Sequence, residues 1–402
     1  MHTQRRGLAF SLYCLLGFLL GLVTAALGPS LGDLAARNHT SIASMGAVYT
    51  ALFIGALLAQ LVAGPLGDRR GRRLVLIGSL VLLAAGVAAL CLSNSLSLAL
   101  AAVVLAGLGH GAADLCILVL AAKAYPEKSV SALNILGLLF GAGAFAGPAL
   151  VGLSQRLTGS AYPALWTAVA AVALAIPATL FALESDAPAK ATGPAKAAEA
   201  SAAAGGSGGR GALASPYIWI LGLLLLVYVG AENGMGGWTA EYFKRTTGAA
   251  APTAALVASG FWLALSAGRL VAAAAGTRLG PRSVLGLGIA VSIGGALLLA
   301  LTAGHGPATV AAVALVGFGY ASIYPTAFAM AAAAFPESPG AATSMVTVLG
   351  SAGGMLLPWV EGLVIQGLGA PAAGAFILAL GAAMLVLFVL ARRAENAQSR
   401  AA

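Results

Sequence analysis

Residues 64–73 read Gly-Pro-Leu-Gly-Asp-Arg-Arg-Gly-Arg-Arg. The segment holds one acid and four arginines, and it separates two uncharged apolar runs, 42–65 and 74–93. A membrane-crossing helix needs about 20 apolar residues, and both runs have that length. The segment is therefore a short connection between two membrane helices. Its arginines mark the cytoplasmic side, because Lys and Arg concentrate in cytoplasmic loops. Gly67 and Gly71 suit the tight turn such a connection needs.

Working outward, cuts at charges and at Pro/Gly clusters give twelve such runs: 8–31, 42–65, 74–93, 96–122, 130–153, 162–183, 216–240, 252–275, 282–302, 306–332, 341–366 and 371–392. They are too long and too continuously apolar for barrel strands, which alternate. The first follows Arg5-Arg6, like a secretory leader, but eleven further runs make it a span. With the N-terminus inside, 17 of the 21 Lys and Arg fall on the inner side, Arg269 among them; only Arg37, Arg156, Lys244 and Arg245 lie outside. That asymmetry places both termini in the cytoplasm and the chain in the cell (inner) membrane.

Composition agrees. Of 402 residues 60% are apolar and 8% charged, against roughly 25% charged in soluble domains, and the mean hydropathy is +0.96. A soluble enzyme, a disordered chain and a nucleic-acid binder are excluded. The net charge of +9 arises more from scarce acids (12) than from plentiful bases (21). Cys14, Cys91 and Cys116 sit inside apolar runs and read as small buried hydrophobes. No phosphate-cradling loop, metal-ligand cluster or nucleophile elbow occurs, so no cofactor, metal or catalytic residue is expected. Residues 184–215, rich in Ala, Gly and Ser, read as a flexible cytoplasmic linker. It joins two six-helix bundles, 1–183 and 216–402.

The halves repeat. At an offset of 210, Ala124-Tyr-Pro-Glu127 meets Ala334-Phe-Pro-Glu337, Gly107-Leu-Gly109 meets Gly317-Phe-Gly319, Gly143 meets Gly353, and Pro148 meets Pro358. At 209 the loop Gly67–Arg73 meets Gly276–Arg282. Two halves of one orientation are the parallel repeat of certain transporters.

The loop Gly64-Pro-Leu-Gly67-Asp68-Arg69-Arg-Gly71-Arg72-Arg73 closely resembles the signature between spans two and three of the major facilitator superfamily. Segments Gly107–Asp114, Ser131–Asn134, Tyr228–Trp238, Gly260–Leu263 and Gly317–Pro325 are similar to its fucose-permease-type branch. The resemblance implies an all-α fold of twelve spans in two six-helix bundles, with spans one, four, seven and ten lining a central cavity. It also implies a gating role for Gly64, Gly67, Asp68, Arg69, Gly71, Arg72 and Arg73. Asp68 would meet the N-terminal end of span eleven when the cytoplasmic side is shut, a favourable place for a carboxylate.

Ionisable groups at membrane depth are costly unless paired or wetted. His110 and Asp114, four apart in span four, share a helix face within contact range. Tyr320 and Tyr324 hold the equivalent positions in span ten. Span seven carries Glu232 and Asn233 among Gly230, Gly234, Gly236 and Gly237, a density that favours a broken helix exposing polar groups, with Trp238 following. The expected solute-binding residues are Glu232, Asn233, Trp238, Asp114, Asn134, Tyr320 and Tyr324, with Trp238 stacking on a sugar face. Asp114, His110 and Glu232 are the proton-coupling candidates. Glu361 lies near the outer end of span eleven.

The function these residues favour is secondary transport of a small polar solute, above all a sugar, by alternating access with H+ or Na+ as coupling ion. The chain would act as a monomer in the lipid bilayer. The permease branch shares a carboxylate in span one, whereas Leu22–Ala26 offers only Thr24, so uncoupled diffusion stays open. The alternative is a proton-driven exporter of drugs or metabolites. Gly143-Ala-Phe-Ala-Gly147-Pro148 resembles an antiporter motif, although span four lacks the arginine of those antiporters.

Overall fold

The computed structural model describes residues 2–125, 128–182, 214–276, 278–336 and 338–401. The expected linker, but for residues 214–215, lies outside the described residues. Among the described residues the regular structure is entirely helical. In chain order it comprises α1 (His2–Arg37), α2 (Ile42–Met45), α3 (Ala47–Arg70), α4 (Arg72–Leu92), α5 (Leu96–Ala124), α6 (Ser129–Thr158), α7 (Tyr162–Ala182), α8 (Pro216–Thr247), α9 (Ala251–Gly276), α10 (Pro281–Leu301), α11 (Gly306–Tyr320), α12 (Ile323–Ala334), α13 (Pro339–Leu368) and α14 (Ala370–Ala401). Twelve described segments are long and apolar enough to cross a membrane. The short α2 leads into the second of them, and α11 with α12 forms the tenth.

The chain divides into two compact units, Met1–Ala191 with Ala249–Trp262, and Thr192–Gly248 with Leu263–Ala402. In the first unit α1 packs along α6, α4 along α5, and α4 against α7. In the second, the repeat-related partners pair the same way: α8 along α13, α10 along α11, and α10 against α14.

Glycines set these close approaches, since small residues let membrane helices come together. A methyl at Gly143 would run into the backbone of Phe18, and one at Gly353 into that of Leu226. Gly109 likewise abuts the backbone of Ser79 and Leu83, and Gly319 that of Gly288 and Ser292. The repeat is thus built into the contacts and not only into the letters.

Two spans break the expected pattern. The glycine-rich α8 runs unbroken from Pro216 to Thr247. Its glycines serve contact instead: side chains at Gly222 and Gly230 would overlap Leu349 and Leu357 of α13. The break falls in span ten, between Tyr320 and Ile323. Pro325 explains it, because proline has no N–H to donate and its ring crowds the carbonyl four residues back, that of Ala321. Position 115, the counterpart of Pro325, is leucine, and α5 is continuous.

Candidate functional site

In the first unit the polar group forms between α1 and α5. The Thr24 hydroxyl donates to the Leu20 carbonyl at 2.9 Å and stands 2.9 Å from His110 Nε2. Since its one hydrogen is committed to Leu20, Nε2 is the donor to Thr24, which leaves Nδ1 to take up a further proton. The His110–Asp114 contact expected from their spacing does not form. The ring turns to the hydroxyl opposite it on α1, and Asp114 has no hydrogen-bonding or ionic partner among the described residues. Asn134 is exposed on α6, with no described bond to this group.

In the second unit the corresponding group forms between α8, α9 and the broken span. Glu232 Oε1 lies 3.6 Å from Arg269 Nη2, with the glutamate side chain 13% and the arginine 36% exposed. The pair is therefore sheltered at the acid and open at the base. The ring of Tyr228, one turn before Glu232, packs edge-on against Tyr320 with centroids 5.6 Å apart and lies 6.4 Å from Tyr324. Tyr324 in turn stacks on Phe328 at 6.0 Å. The Tyr228 hydroxyl stands beside the Glu232 carboxylate but outside hydrogen-bond geometry with any described group. Asn233 donates an amide hydrogen to the Val229 carbonyl at 2.8 Å.

The two groups are repeat-related. By the packing register of Gly143 on Phe18 and Gly353 on Leu226, Thr24 is the repeat counterpart of Glu232, while His110 corresponds to Tyr320 and Asp114 to Tyr324. In the first unit the Thr24–His110 bond joins the first and fourth spans; in the second the Tyr228–Tyr320 ring contact joins them. Glu232, the acid that the first unit lacks at Thr24, pairs with Arg269 of the second span.

Arg269 is no loop charge: it lies within α9, seven residues before its end, and meets Glu232. Its position inside the run 252–275 was the signal for this. Trp238 is 1% exposed, donates its indole N–H to the Pro358 carbonyl at 2.7 Å, and fills the space beside Gly362. Packed in this way it bolts α8 to α13 and offers a sugar no face. Trp238→Phe should cost about 1–2 kcal/mol from the lost buried bond. That would be read as a lower unfolding temperature in detergent with unchanged solute affinity; a weakened affinity would restore the stacking role.

At the loop, Gly71 alone joins α3 to α4, at φ +89°, a conformation that favours glycine. Gly67 is the correction here: it lies within α3 and makes room for the buried Arg72 rather than shaping the turn. Arg73 donates to the Leu180 carbonyl near the end of α7, where a cation complements the helix dipole. Arg69 and Arg70 are exposed. The side chain of Asp68, and Thr277 at the matching place in the second half, lie outside the described residues. Asp33 accepts from the Ala161 N–H at 2.6 Å and secures the turn before α7.

Two repeated six-helix units of membrane-length spans, each holding ionisable side chains at depth, define a multi-pass membrane protein. Residues 13–242 and 233–402 match the Major Facilitator Superfamily. The chain belongs to that family, and it is a transporter of a solute, not an enzyme. It is 27% identical over 369 residues to the uncharacterized transporter y4wD of Sinorhizobium fredii, covering 90% of this chain and 92% of that one. It is 38% identical over 119 residues to the 4-hydroxybenzoate transporter PcaK of Pseudomonas aeruginosa, 30% of this chain and 27% of that one. Among solved structures it is similar to a point mutant of the nucleoside transporter NupG, with a TM-score of 0.78 at 15% identity, covering 96% of this chain and 99% of that one. It is also similar to a point mutant of the fucose:proton symporter FucP of E. coli, with a TM-score of 0.64 at 18% identity over 96% and 98% of the two chains. At those identities the likeness is one of fold.

Proposed function

We propose that the chain moves a small hydroxylated ring solute, a sugar or a nucleoside, across the cell membrane by alternating access, with both termini in the cytoplasm. The observation that carries this reading is the Glu232–Arg269 pair set beside the Tyr228–Tyr320–Tyr324 cluster. A carboxylate and a guanidinium supply an acceptor and donors for ring hydroxyls. An aromatic face suits the apolar face of a ring, and Tyr324 is the least buried of the three. The break beside Tyr320 frees backbone groups for the same purpose. NupG and FucP, by name a nucleoside transporter and a fucose symporter, share the fold. His110, Asp114 and Glu232 are the groups on which H+ or Na+ coupling would act.

A second reading is an aromatic carboxylate, favoured by the open side of Arg269 and by the PcaK likeness. The exporter reading rests on the segment Gly143–Pro148, whose Gly143 and Gly147 pack closely on α1.

The test is ligand-induced stabilisation of the purified protein, since a ligand bound only to the folded state raises the unfolding temperature. Sugars, nucleosides, 4-hydroxybenzoate and lipophilic cations form the panel. Stabilisation by a sugar or nucleoside, lost in Glu232→Gln, is the expected result. Stabilisation by 4-hydroxybenzoate alone, lost in Arg269→Gln, would replace it with the second reading, and by cations alone with the exporter.

The signature loop gives a separate prediction. Asp68→Asn should slow turnover several-fold with little change in solute affinity, as measured by initial rates against equilibrium binding. An unchanged rate would reduce the loop to a membrane anchor.

A further inference from the structure

Glu361, near the outer end of α13, is the most deeply buried acid among the described residues, 3% exposed. Its Oε2 has no hydrogen-bond partner, and no described cation pairs with the carboxyl group. Gly234 of α8 makes room for it, since any side chain there would overlap Oε2. A bare carboxylate in such a place costs several kcal/mol.

Beside it lies a cavity of about 10 Å³, close to the space one water needs. Its polar lining is Glu361, Thr239 and Tyr242; the other lining residues, from α8, α10, α11 and α14, are apolar. Thr239 donates its hydroxyl hydrogen to the Met235 carbonyl, and Tyr242 donates its own to the Leu299 carbonyl at 2.9 Å. Both hydroxyls therefore present only lone pairs to the cavity. Every polar group around this space is an acceptor, and the missing element is a hydrogen to donate.

We propose that Glu361 and this cavity form a proton-binding site inside the second unit, distinct from the polar groups described above. The proton goes onto a Glu361 oxygen, converting the carboxylate to a neutral acid whose O–H donates to Thr239, to Tyr242 or to one bridging water. The titratable groups facing Glu361 are Tyr242 of α8 and Tyr320 at the end of α11; the walls from α10 and α14 contribute none. Tyr320 is also within electrostatic reach of Glu232. Charge at Glu361 is thereby felt at the Tyr320–Tyr228 contact. That link to transport rests on the solute site proposed above, whereas the proton site stands without it.

Infrared spectroscopy of the full-length protein in lipid, without added solute, tests the proposal. The wild type at neutral pH should show a protonated-carboxyl stretching band that shifts in D2O and is lost at raised pH. The band should persist in Glu232→Gln and disappear in Glu361→Gln. Thr239→Val and Tyr242→Phe, which keep the acid, should shift it by removing an acceptor; this arm holds even if Glu361→Gln fails to fold. No such band at neutral pH, or a band unmoved by all three changes around the cavity, would overturn the proposal. So would a band that sodium chloride abolishes at constant pH while choline chloride does not, since that result assigns the cavity to sodium.

Discussion

Glu232→Gln is expected to abolish solute transport while the protein still inserts and folds. The carboxylate is sheltered, and its one described ionic partner is Arg269 at 3.6 Å. Glutamine keeps the shape but removes the charge, and a hydrogen bond to a charged group is worth about 1.5–3 kcal/mol. Solute affinity should therefore fall about 10- to 100-fold, and with it uptake at low solute concentration. A purely structural pair predicts otherwise. Then Arg269→Gln in the same chain would relieve the unpaired cation and restore transport. If both side chains touch the solute, the double variant stays inactive and each single variant loses affinity. Equilibrium binding to the four proteins distinguishes the outcomes, because the coupling between two residues is isolated by comparing singles with the double.

Gly143→Val and Gly353→Val are expected to prevent assembly of the first and second unit respectively. In each case even a methyl would meet a facing backbone, of Phe18 on α1 or of Leu226 on α8. A backbone cannot move aside as a flexible side chain can, so the helices must part along the principal contact of their unit. Overpacking by a few methyl groups commonly costs about 1–3 kcal/mol, and a rigid overlap should exceed about 3 kcal/mol. Gly137 on α6 and Gly367 on α13 have nothing within 4 Å of an added methyl and serve as controls. Size-exclusion profiles of tagged protein should show aggregation for the two valine variants and a single peak for Gly137→Ala and Gly367→Ala. A single peak for Gly143→Val would mean that α1 and α6 do not meet as described.

The fold was legible because each of its causes is local. Apolar runs near 20 residues long can only be spans, and the recurrence of Gly107-Leu-Gly109 as Gly317-Phe-Gly319 gives the two halves. Span edges were less legible: α1 continues to Arg37 and α8 to Thr247, past the apolar runs, because helical hydrogen bonding persists where hydropathy ends. Reading glycine density as a break failed at α8, where glycine answers the approach of a neighbouring helix, a demand made by residues more than a hundred positions away. Proline does act locally, and Pro325 could have placed the break in span ten. The acids could be found from depth alone, but their partners could not. Thr24 lies 86 residues from His110 and Arg269 lies 37 from Glu232, so only folding reveals the pairs. Of the aromatic cluster, Tyr320 and Tyr324 were legible through the repeat, whereas Tyr228, one turn from Glu232 and unmarked by charge, was not.

The central claim is that this chain carries a small polar solute through the membrane. Uptake of labelled sugars and nucleosides into proteoliposomes tests it most directly, run with an inward proton gradient, with an inward sodium gradient and with neither. The account predicts entry of at least one of these solutes, with accumulation above the external concentration under one of the gradients and none in vesicles bearing Glu232→Gln. No uptake of any sugar or nucleoside under any gradient, by protein shown to be folded in the same vesicles, would contradict it.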